Sequence, residues 1–275
     1  MAKAAQAFDP RKQTGFTAIA LSCFAVLYLP ILLMAVFSFN GGMALATWSG
    51  FSLKWYMAAW QNAAVQEATL RSLMIATIAT IVSTITAMLA ALAMGRGKSF
   101  RGRSAMFALI NQPLMVPEIV TAVSLLIVFA WIKTRTGYTG IGYLVLAHSA
   151  FCIPFAFMPI RARLQGMDMT LEQAAADLYA SPLRVFRRIT FPLLWPGILA
   201  GGMLAFVTSL DDVVITEFVK SAGQDTLPTY MLGQMRRNLT PETNAIATVL
   251  FVVSVALVVA FFLVSREKHA ERGQS

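Results

Sequence analysis

The chain has 275 residues, of which 57% are hydrophobic and only 13% carry a charged side chain. A soluble domain carries about 25% charged residues, so this composition excludes an ordinary soluble protein and indicates a membrane protein. The net charge of +9 does not indicate nucleic-acid binding, because the Lys and Arg residues are spread over short segments between apolar runs.

Six apolar runs dominate the chain, each about 20 residues or longer, enough to cross roughly 30 Å of hydrocarbon as a helix. They lack the alternation of a barrel strand, and backbone groups in lipid must be bonded within their own segment, so helices are expected. The sequence predicts an all-α polytopic membrane protein with six transmembrane helices in a single domain, 15–265. The predicted spans are 15–39, 69–94, 105–131, 141–160, 193–217 and 245–265.

The first run begins after the basic pair Arg11-Lys12 and ends near Ala44-Leu45-Ala46, a triplet that imitates a signal-peptide cleavage site. Its apolar stretch of about 25 residues is longer than the 7 to 15 of a signal-peptide core, so we interpret it as a retained span. With the N-terminus in the cytoplasm, most of the 22 Lys and Arg residues fall on cytoplasmic segments. The positive-inside rule therefore places the tails 1–14 and 266–275 in the cytoplasm.

The loop after the second predicted span contains Gly95-Arg96-Gly97-Lys98-Ser99, which resembles the end of a phosphate-binding loop. The full motif needs a glycine where Leu92 stands, inside an apolar span that no strand precedes. The basic residues here are better interpreted as topology anchors. Cys23 and Cys152 lie in different apolar runs, and the sequence shows no metal-ligand spacing.

Four acidic residues fall within the predicted spans, where an ionisable group costs about 2.5 to 3.5 kcal/mol and marks a candidate site; one of them, Glu217, is the last residue of the fifth. Glu118 lies near the middle of the third predicted span, just after Pro117, which permits a kink. Asp211 and Asp212 lie in the outer part of the fifth. A cationic substrate would find carboxylates along this path. The alternatives are pairing or protonation of Glu118 and helix capping or bridging by the two aspartates.

Two geometric expectations refine this site. Adjacent helical residues point about 100° apart, so Asp211 and Asp212 are not expected to face the same path. His148, in the fourth span, is expected to make a hydrogen bond between helices. On the outer side, the segment 218–244 is expected to be a structured loop with short helical pieces.

A polar segment, 164–190, separates the fourth and fifth spans, and we call it the coupling segment. Thr170-Leu171-Glu172-Gln173 has the spacing of a capping box, which predicts a helix that begins near Thr170. Ser181-Pro182 then supplies a stop and a new start. One apolar face of the predicted helix collects residues at helical spacing: Leu171, Ala174, Ala175, Leu178 and Tyr179.

Two interpretations of this helix differ in what covers the apolar face. It could fill a groove on a soluble partner, or it could rest in the lipid interface with its arginines toward anionic headgroups. The face is mostly alanine and lacks the Trp and Phe residues expected of a lipid anchor. Docking to a partner is the interpretation that the composition favours.

The coupling segment resembles the cytoplasmic loop of binding-protein-dependent ABC importer permeases, whose pattern is roughly Glu-Ala-Ala, three residues, Gly, then Ile-x-Leu-Pro. Here it reads Gln173-Ala174-Ala175, then Tyr179 at the glycine position, then Ile189-Thr190-Phe191-Pro192. Gln173 still completes a capping box. Tyr179 either allows the helix to continue to Ala180 or forms a strained turn, since a residue with a Cβ pays roughly 1 to 2 kcal/mol in the left-handed conformation.

Four further motifs resemble those of the second permease of spermidine/putrescine importers. This resemblance extends from about residue 20 to residue 268. The motifs are Met115-Val116-Pro117-Glu118-Ile119, Ala147-His148-Ser149-Ala150-Phe151-Cys152, Ser209-Leu210-Asp211-Asp212-Val213-Val214, and Thr240-Pro241-Glu242-Thr243-Asn244-Ala245-Ile246-Ala247-Thr248.

The resemblance implies a type I ABC importer permease in a bacterial inner membrane, with no catalysis of its own. The implied partners are a second related permease, two ATPase subunits that bind ATP and Mg²⁺, and an external solute-binding protein. The substrate path would use Glu118, Asp211 and Asp212. The residues expected to couple to the ATPases are Leu171, Glu172, Gln173, Ala174, Ala175, Asp177, Leu178, Tyr179, Ala180, Ser181 and Pro182.

Other functions stay open at this stage. Permeases of this type also carry thiamine, sulfate or phosphonates, so the substrate could be another small solute. A secondary transporter could use Glu118 or Asp211 as a proton site, but it would leave the coupling segment unexplained. A membrane enzyme is disfavoured, because no nucleophile, base or metal constellation is visible in the sequence.

Overall fold

The computed structural model describes residues 14–43, 47–96, 100–237 and 240–270, and these are almost entirely helical. The sequence features Arg11-Lys12, Ala44-Leu45-Ala46 and Gly97-Lys98-Ser99 lie outside them. The α-helices, in chain order, are α1 (Thr14–Phe37), α2 (Lys54–Gln61), α3 (Ala63–Arg96), α4 (Arg103–Met115), α5 (Glu118–Thr136), α6 (Gly142–Gln165), α7 (Thr170–Asp177), α8 (Pro182–Val185), α9 (Phe191–Leu210), α10 (Val214–Val219), α11 (Leu227–Arg237) and α12 (Pro241–Ala270).

Six helical segments of the described chain are long and apolar enough to cross a membrane. They confirm the predicted all-α, six-span fold class. The segments are Gly15–Phe37, Ala63–Arg96, Glu118–Thr136, Gly142–Gln165, Pro182–Leu210 and Pro241–Val259.

The described residues fall into two compact units, one drawn from 1–61 and 234–251 and the other from 62–233 and 252–275. In the first unit the apolar residues of α1 are exposed, as expected for a helix that faces lipid or another subunit. The loop that follows is held by Asn40, whose Oδ1 accepts a hydrogen bond from the Ser49 amide at 2.7 Å. The Trp55 indole donates to the Asn40 carbonyl at 2.8 Å.

The core of the second unit is formed by α3, α6 and α9, which pack against one another. Helix α6 is the most buried of the candidate spans, with 61% of its apolar window inside the protein. Small buried residues let the three helices approach closely. Close packing matters here because the hydrophobic effect does not drive helices together within lipid. Among them are Ala76, Ala79, Ala87, Ala91, Ala147, Ala156 and Ala205.

Helices α6 and α9 approach each other closely at two glycines spaced four residues apart. A Cβ on Gly201 would stand 2.5 Å from the Ala156 carbonyl oxygen, and a Cβ on Gly197 would stand 2.6 Å from the Arg163 Cβ. Glycine at these positions brings the two backbones into contact, the role that small residues at this spacing have in membrane helix pairs.

The third apolar run is not the single helix that the sequence predicted over 105–131. It divides into α4 and α5, because Pro117 cannot donate a helical hydrogen bond and holds Val116 in extended backbone, at φ −100° and ψ 136°. Glu118 is therefore the first residue of α5, and its expected place in the middle of a span is wrong.

The fifth span also differs from the prediction of 193–217. It begins at Pro182, passes through a π-helical turn at Phe186–Thr190, and ends at Leu210. The chain then leaves the helix at Asp211 and Asp212 and starts the separate helix α10. The expected helix-break-helix unit beneath the membrane is thus a short helix, α7, followed by one continuous helical rod.

Candidate functional site

Asp212 is buried between α9 and α10, and its carboxylate caps the first turn of α10. Oδ2 accepts hydrogen bonds from the Thr216 amide at 2.9 Å and the Thr216 hydroxyl at 2.8 Å, and Oδ1 accepts one from the Ile215 amide at 3.3 Å. Amide groups at a helix start have no partner within the helix, so an aspartate side chain is well suited to bind them. This cap explains why α9 ends and α10 begins here.

His148 of α6 lies at the centre of a buried polar cluster, with 1% of its side chain exposed. Its Nδ1 is 2.8 Å from the Ser209 hydroxyl and its Nε2 is 2.9 Å from the Thr216 hydroxyl. Because the Thr216 hydroxyl donates to Asp212, it is left to accept from Nε2, and Nδ1 then accepts from Ser209. The predicted interhelical hydrogen bond is confirmed, and it connects α6 to both α9 and α10.

The Glu118 carboxyl lies near the Asp212 carboxyl, close enough for the two groups to interact electrostatically. The α5 helix that carries Glu118 packs against α10. Two carboxylates this close repel each other unless a proton or a cation lies between them. Glu118 is only partly buried, so this pair offers one open side to a cation.

The environment of Asp211 differs from that of Asp212. Asp211 is exposed at the end of α9, and its carboxylate makes no hydrogen bond or ion pair in the described part of the chain. Asp212 is therefore buried near Glu118 while Asp211 is exposed, which agrees with the expectation that the adjacent aspartates do not face the same way.

Glu217, on α10, has a structural partner. The Lys220 amine lies 2.6 Å from the Glu217 carboxylate and 2.7 Å from the Asp225 carboxylate. Partial burial lowers the pKa of Lys220, but hydrogen bonds to Asp225 and Glu217 outweigh it and raise the pKa above its ordinary value. The lysine stays protonated and forms an ion pair with each acid. Arg71 of α3 donates to the Asp225 carbonyl at 2.8 Å, so this outer network is tied to the core of the second unit.

The residues that the structure describes contain no group of three or more His, Cys, Asp or Glu side chains that could hold a metal ion.

At the other end of the helices, α7 forms where the sequence predicted a helix, but the predicted capping box of Thr170 and Gln173 is absent. The carboxylate of Asp168 accepts the Thr170 amide at 2.9 Å instead, and this hydrogen bond lowers the pKa of Asp168 below its ordinary value. Aspartate satisfies the orphan amide and also favours the positive end of the helix, so it prevails over a threonine cap.

Tyr179 occupies the glycine position in a left-handed conformation, with φ of 57°. The helix ends at Asp177, and the Ala180 amide bonds the Ala175 carbonyl at 3.0 Å while the Tyr179 amide bonds the Ala176 carbonyl at 2.9 Å. This pair of hydrogen bonds is the Schellman ending of a helix, which glycine normally closes. Of the two possibilities that the sequence left open, the strained turn is the one that forms.

Replacing Tyr179 with glycine should stabilise this turn by about 1 kcal/mol, because glycine adopts positive φ without steric cost. Tyr179 is 96% exposed, so its ring contributes no packing within the chain. Slower amide hydrogen exchange over residues 170–180 would measure the gain. Tyr179→Ala is the matched control, since it removes the ring but keeps the Cβ. Equal exchange in both variants would contradict the strain.

The outward surface of α7 and its turn is apolar and has no partner within the described chain. Leu178 is 82% exposed and Leu171 is 52% exposed. With Tyr179, this short segment exposes three large and mainly apolar side chains. Such exposure is unfavourable in water, and a patch of this kind marks an interaction surface. These are residues that the sequence assigned to ATPase coupling.

Glu172 faces the opposite way and ties α7 to the membrane helices. Its carboxylate lies 3.0 Å from the Arg96 guanidinium at the end of α3 and accepts a hydrogen bond from the Thr190 hydroxyl at 2.7 Å. Both charged side chains are largely buried, with 15% and 16% exposed. Sequence reasoning missed this contact, because nothing in the spacing of Arg96, Glu172 and Thr190 indicates that they meet.

Replacing Glu172 with leucine should destabilise the protein by about 3 kcal/mol, because it leaves the Arg96 charge buried and unpaired. Adding Arg96→Met should restore much of that loss, and chemical unfolding of the two single variants and the double variant measures the coupling. Additive effects of the two substitutions would show that the pair does not hold α7 in place.

Comparisons with known proteins agree with this architecture. The sequence model of the family described as "binding-protein-dependent transport system inner membrane component" matches residues 83–268. The chain is 36% identical over 252 residues to the putrescine transport system permease protein PotI of Escherichia coli strain K12, covering 90% of each chain. It is 37% identical over 246 residues to the spermidine/putrescine transport system permease protein PotC of Haemophilus influenzae, covering 90% of this chain and 94% of that protein.

Solved structures show the same fold at low sequence identity. A chain of a bacterial ABC transporter involved in the import of the acidic polysaccharide alginate superposes with a TM-score of 0.66 at 13% identity, covering 97% of this chain and 99% of that one. A chain of the MetNI methionine ABC transporter gives a TM-score of 0.55 at 15% identity, over 75% of this chain and 99% of that one.

Proposed function

The chain belongs to the family of binding-protein-dependent transport system inner membrane components, and we propose that within this family it carries polyamines such as putrescine and spermidine. It is a multi-pass permease subunit of an ABC importer and not an enzyme. ATP hydrolysis belongs to partner subunits that bind ATP and Mg²⁺. A second related permease and an external solute-binding protein complete the transporter, and both termini of this chain lie in the cytoplasm.

The observation that carries the choice of substrate is the pair of carboxyls at Glu118 and Asp212, beside an exposed Asp211. A polyamine is a flexible chain with positive charge at its amines, and moving it through hydrocarbon requires neutralisation. Glu118 offers a partly open carboxyl, while Asp212 is engaged in capping α10 and contributes charge rather than an open contact. The relatives named for putrescine and spermidine, similar along about nine-tenths of the chain, support the same class.

The mechanism assigns a different task to each end of the molecule. Closure of the ATPases pushes the apolar surface of α7, and Glu172 passes the displacement to α3 and to the π-helical turn before α9. Rigid rotation of the spans then opens the path to one side or the other. At the far end, α10 is joined to α6 and α9 by His148, so the acids move with the spans.

The experiment is reconstitution of the chain into proteoliposomes with the ATPase and second permease that copurify with it, and with the copurifying solute-binding protein added outside. We expect putrescine uptake that requires ATP inside the vesicle and that excess spermidine inhibits. Inhibition by thiamine, sulfate or a phosphonate instead would assign another solute. Uptake by the chain alone, driven by a proton gradient, would overturn the importer function.

A further inference from the structure

A basic cleft of about 310 Å³ opens among the ends of α3, α4 and α6, on the same side of the spans as α7 and away from the acids. Arg103 and Ser104 line it from the first turn of α4, and Arg161 lines it from α6. Met94, Phe107 and Leu164 supply its apolar wall. The mechanism proposed above makes no use of this cleft.

The two arginines of the cleft have no acidic partner in the part of the chain that the structure describes. The Arg161 guanidinium is held in place by aromatic rings, lying 4.8 Å from the centre of Phe107 and 5.9 Å from that of Phe157. These contacts orient the charge without neutralising it. Arg161 is thus held in place without an acidic partner, and Arg103 lines the same cleft. Guanidinium groups suit an anion, because their planar fork matches phosphate oxygens in particular.

The surface above the cleft is apolar and exposed. Phe107 and Leu114 lie seven residues apart on α4, hence on one face, and they are 37% and 43% exposed. A ligand that satisfies both regions has a negative head and a hydrocarbon body. Basic pockets between transmembrane helices on the cytoplasmic side are suited to anionic phospholipid headgroups.

We propose that this cleft binds the phosphate of an anionic phospholipid, such as phosphatidylglycerol, with Arg103 and Arg161 on the headgroup and the acyl chains along α4. The lipid would fasten α4, which the break at Pro117 separates from α5, to the ends of α3 and α6. The site lies apart from the transport path and does not depend on the identity of the substrate.

The test is a native mass spectrometry titration of the purified transporter complex with phosphatidylglycerol and, separately, phosphatidylcholine. The wild type should retain phosphatidylglycerol preferentially. The double variant Arg103→Gln/Arg161→Gln should bind it about twenty-five-fold more weakly, since each basic residue near an anionic headgroup contributes about a fivefold gain. Arg101→Gln is the matched control, an exposed arginine of the same loop that does not line the cleft, and its affinity should equal that of the wild type.

Two further experiments distinguish lipid binding from misfolding and from a different occupant of the cleft. Arg161→Lys keeps the charge and should retain binding, which distinguishes loss of the site from misfolding. A photo-crosslinking amino acid in place of Phe107 should capture lipid. Capture of an ATPase subunit instead, equal retention by the double variant and Arg101→Gln, or complete displacement of the lipid by inorganic phosphate would overturn the proposal.

Discussion

Replacing Asp212 with alanine is expected to destabilise the protein by about 3 kcal/mol and to abolish uptake. The substitution removes the acceptor for two backbone amides and one hydroxyl, all of them buried at Ile215 and Thr216. A buried donor left without a partner costs about 1 to 3 kcal/mol, and a lost helix cap about 1 kcal/mol. With the first turn of α10 released, the acid pair and the His148 cluster lose their shared support.

Asp211→Asn is the matched control for this experiment. Asp211 is exposed and its carboxylate has no partner in the described residues, so unfolding of the variant by denaturant should match the wild type. Polyamine uptake should still fall, by about tenfold, if the carboxylate helps to neutralise the passing amine. Full uptake by Asp211→Asn would remove that residue from the path. An Asp212→Ala variant as stable as the wild type would refute the capping role.

Replacing Leu178 with arginine is expected to stop uptake almost completely while leaving the spans folded. The Leu178 side chain is 82% exposed, so replacing it removes little packing within the chain. It lies on the apolar surface where the ATPases are proposed to dock. An arginine there would have to be desolvated at the centre of an apolar contact, and centrally buried contacts carry most of the energy of an interface.

The measurements are copurification of the ATPase subunits and ATP-dependent uptake, with binding of polyamine to the solute-binding protein unchanged. Ala162→Arg is a suitable control, because it adds the same charge at an exposed position near the end of α6, outside the coupling segment. Loss of uptake in both variants alike would indicate a general effect of charge on this side. Normal uptake by Leu178→Arg would count against docking at α7.

The fold class and the position of the coupling segment could be predicted from the sequence because both depend on local chemistry. Hydropathy alone identifies six spans, and the Ser181-Pro182 pair starts a helix wherever the chain lies in space. Hydropathy does not reveal the break at Pro117, because Val116 and Ile119 on either side are as apolar as the rest of the run.

The details of the candidate sites depend on residues far apart in the sequence. The cluster around Asp212 needs His148 of α6, about sixty residues earlier, and Glu172 has a partner because α3 ends beside α7. Asp168 as the cap of α7 was within reach of sequence reasoning, since aspartate is among the best cap residues. The capping-box spacing at Thr170 was more conspicuous and led to the wrong residue.

The backbone contact at Gly197 and Gly201 restricts where this molecule can flex. Because even a Cβ on Gly201 would collide with the Ala156 carbonyl, α6 and α9 are packed too closely there to slide freely past each other, and we expect them to move together. Conformational change during transport is then expected where helices lack such a contact, above all at the break between α4 and α5.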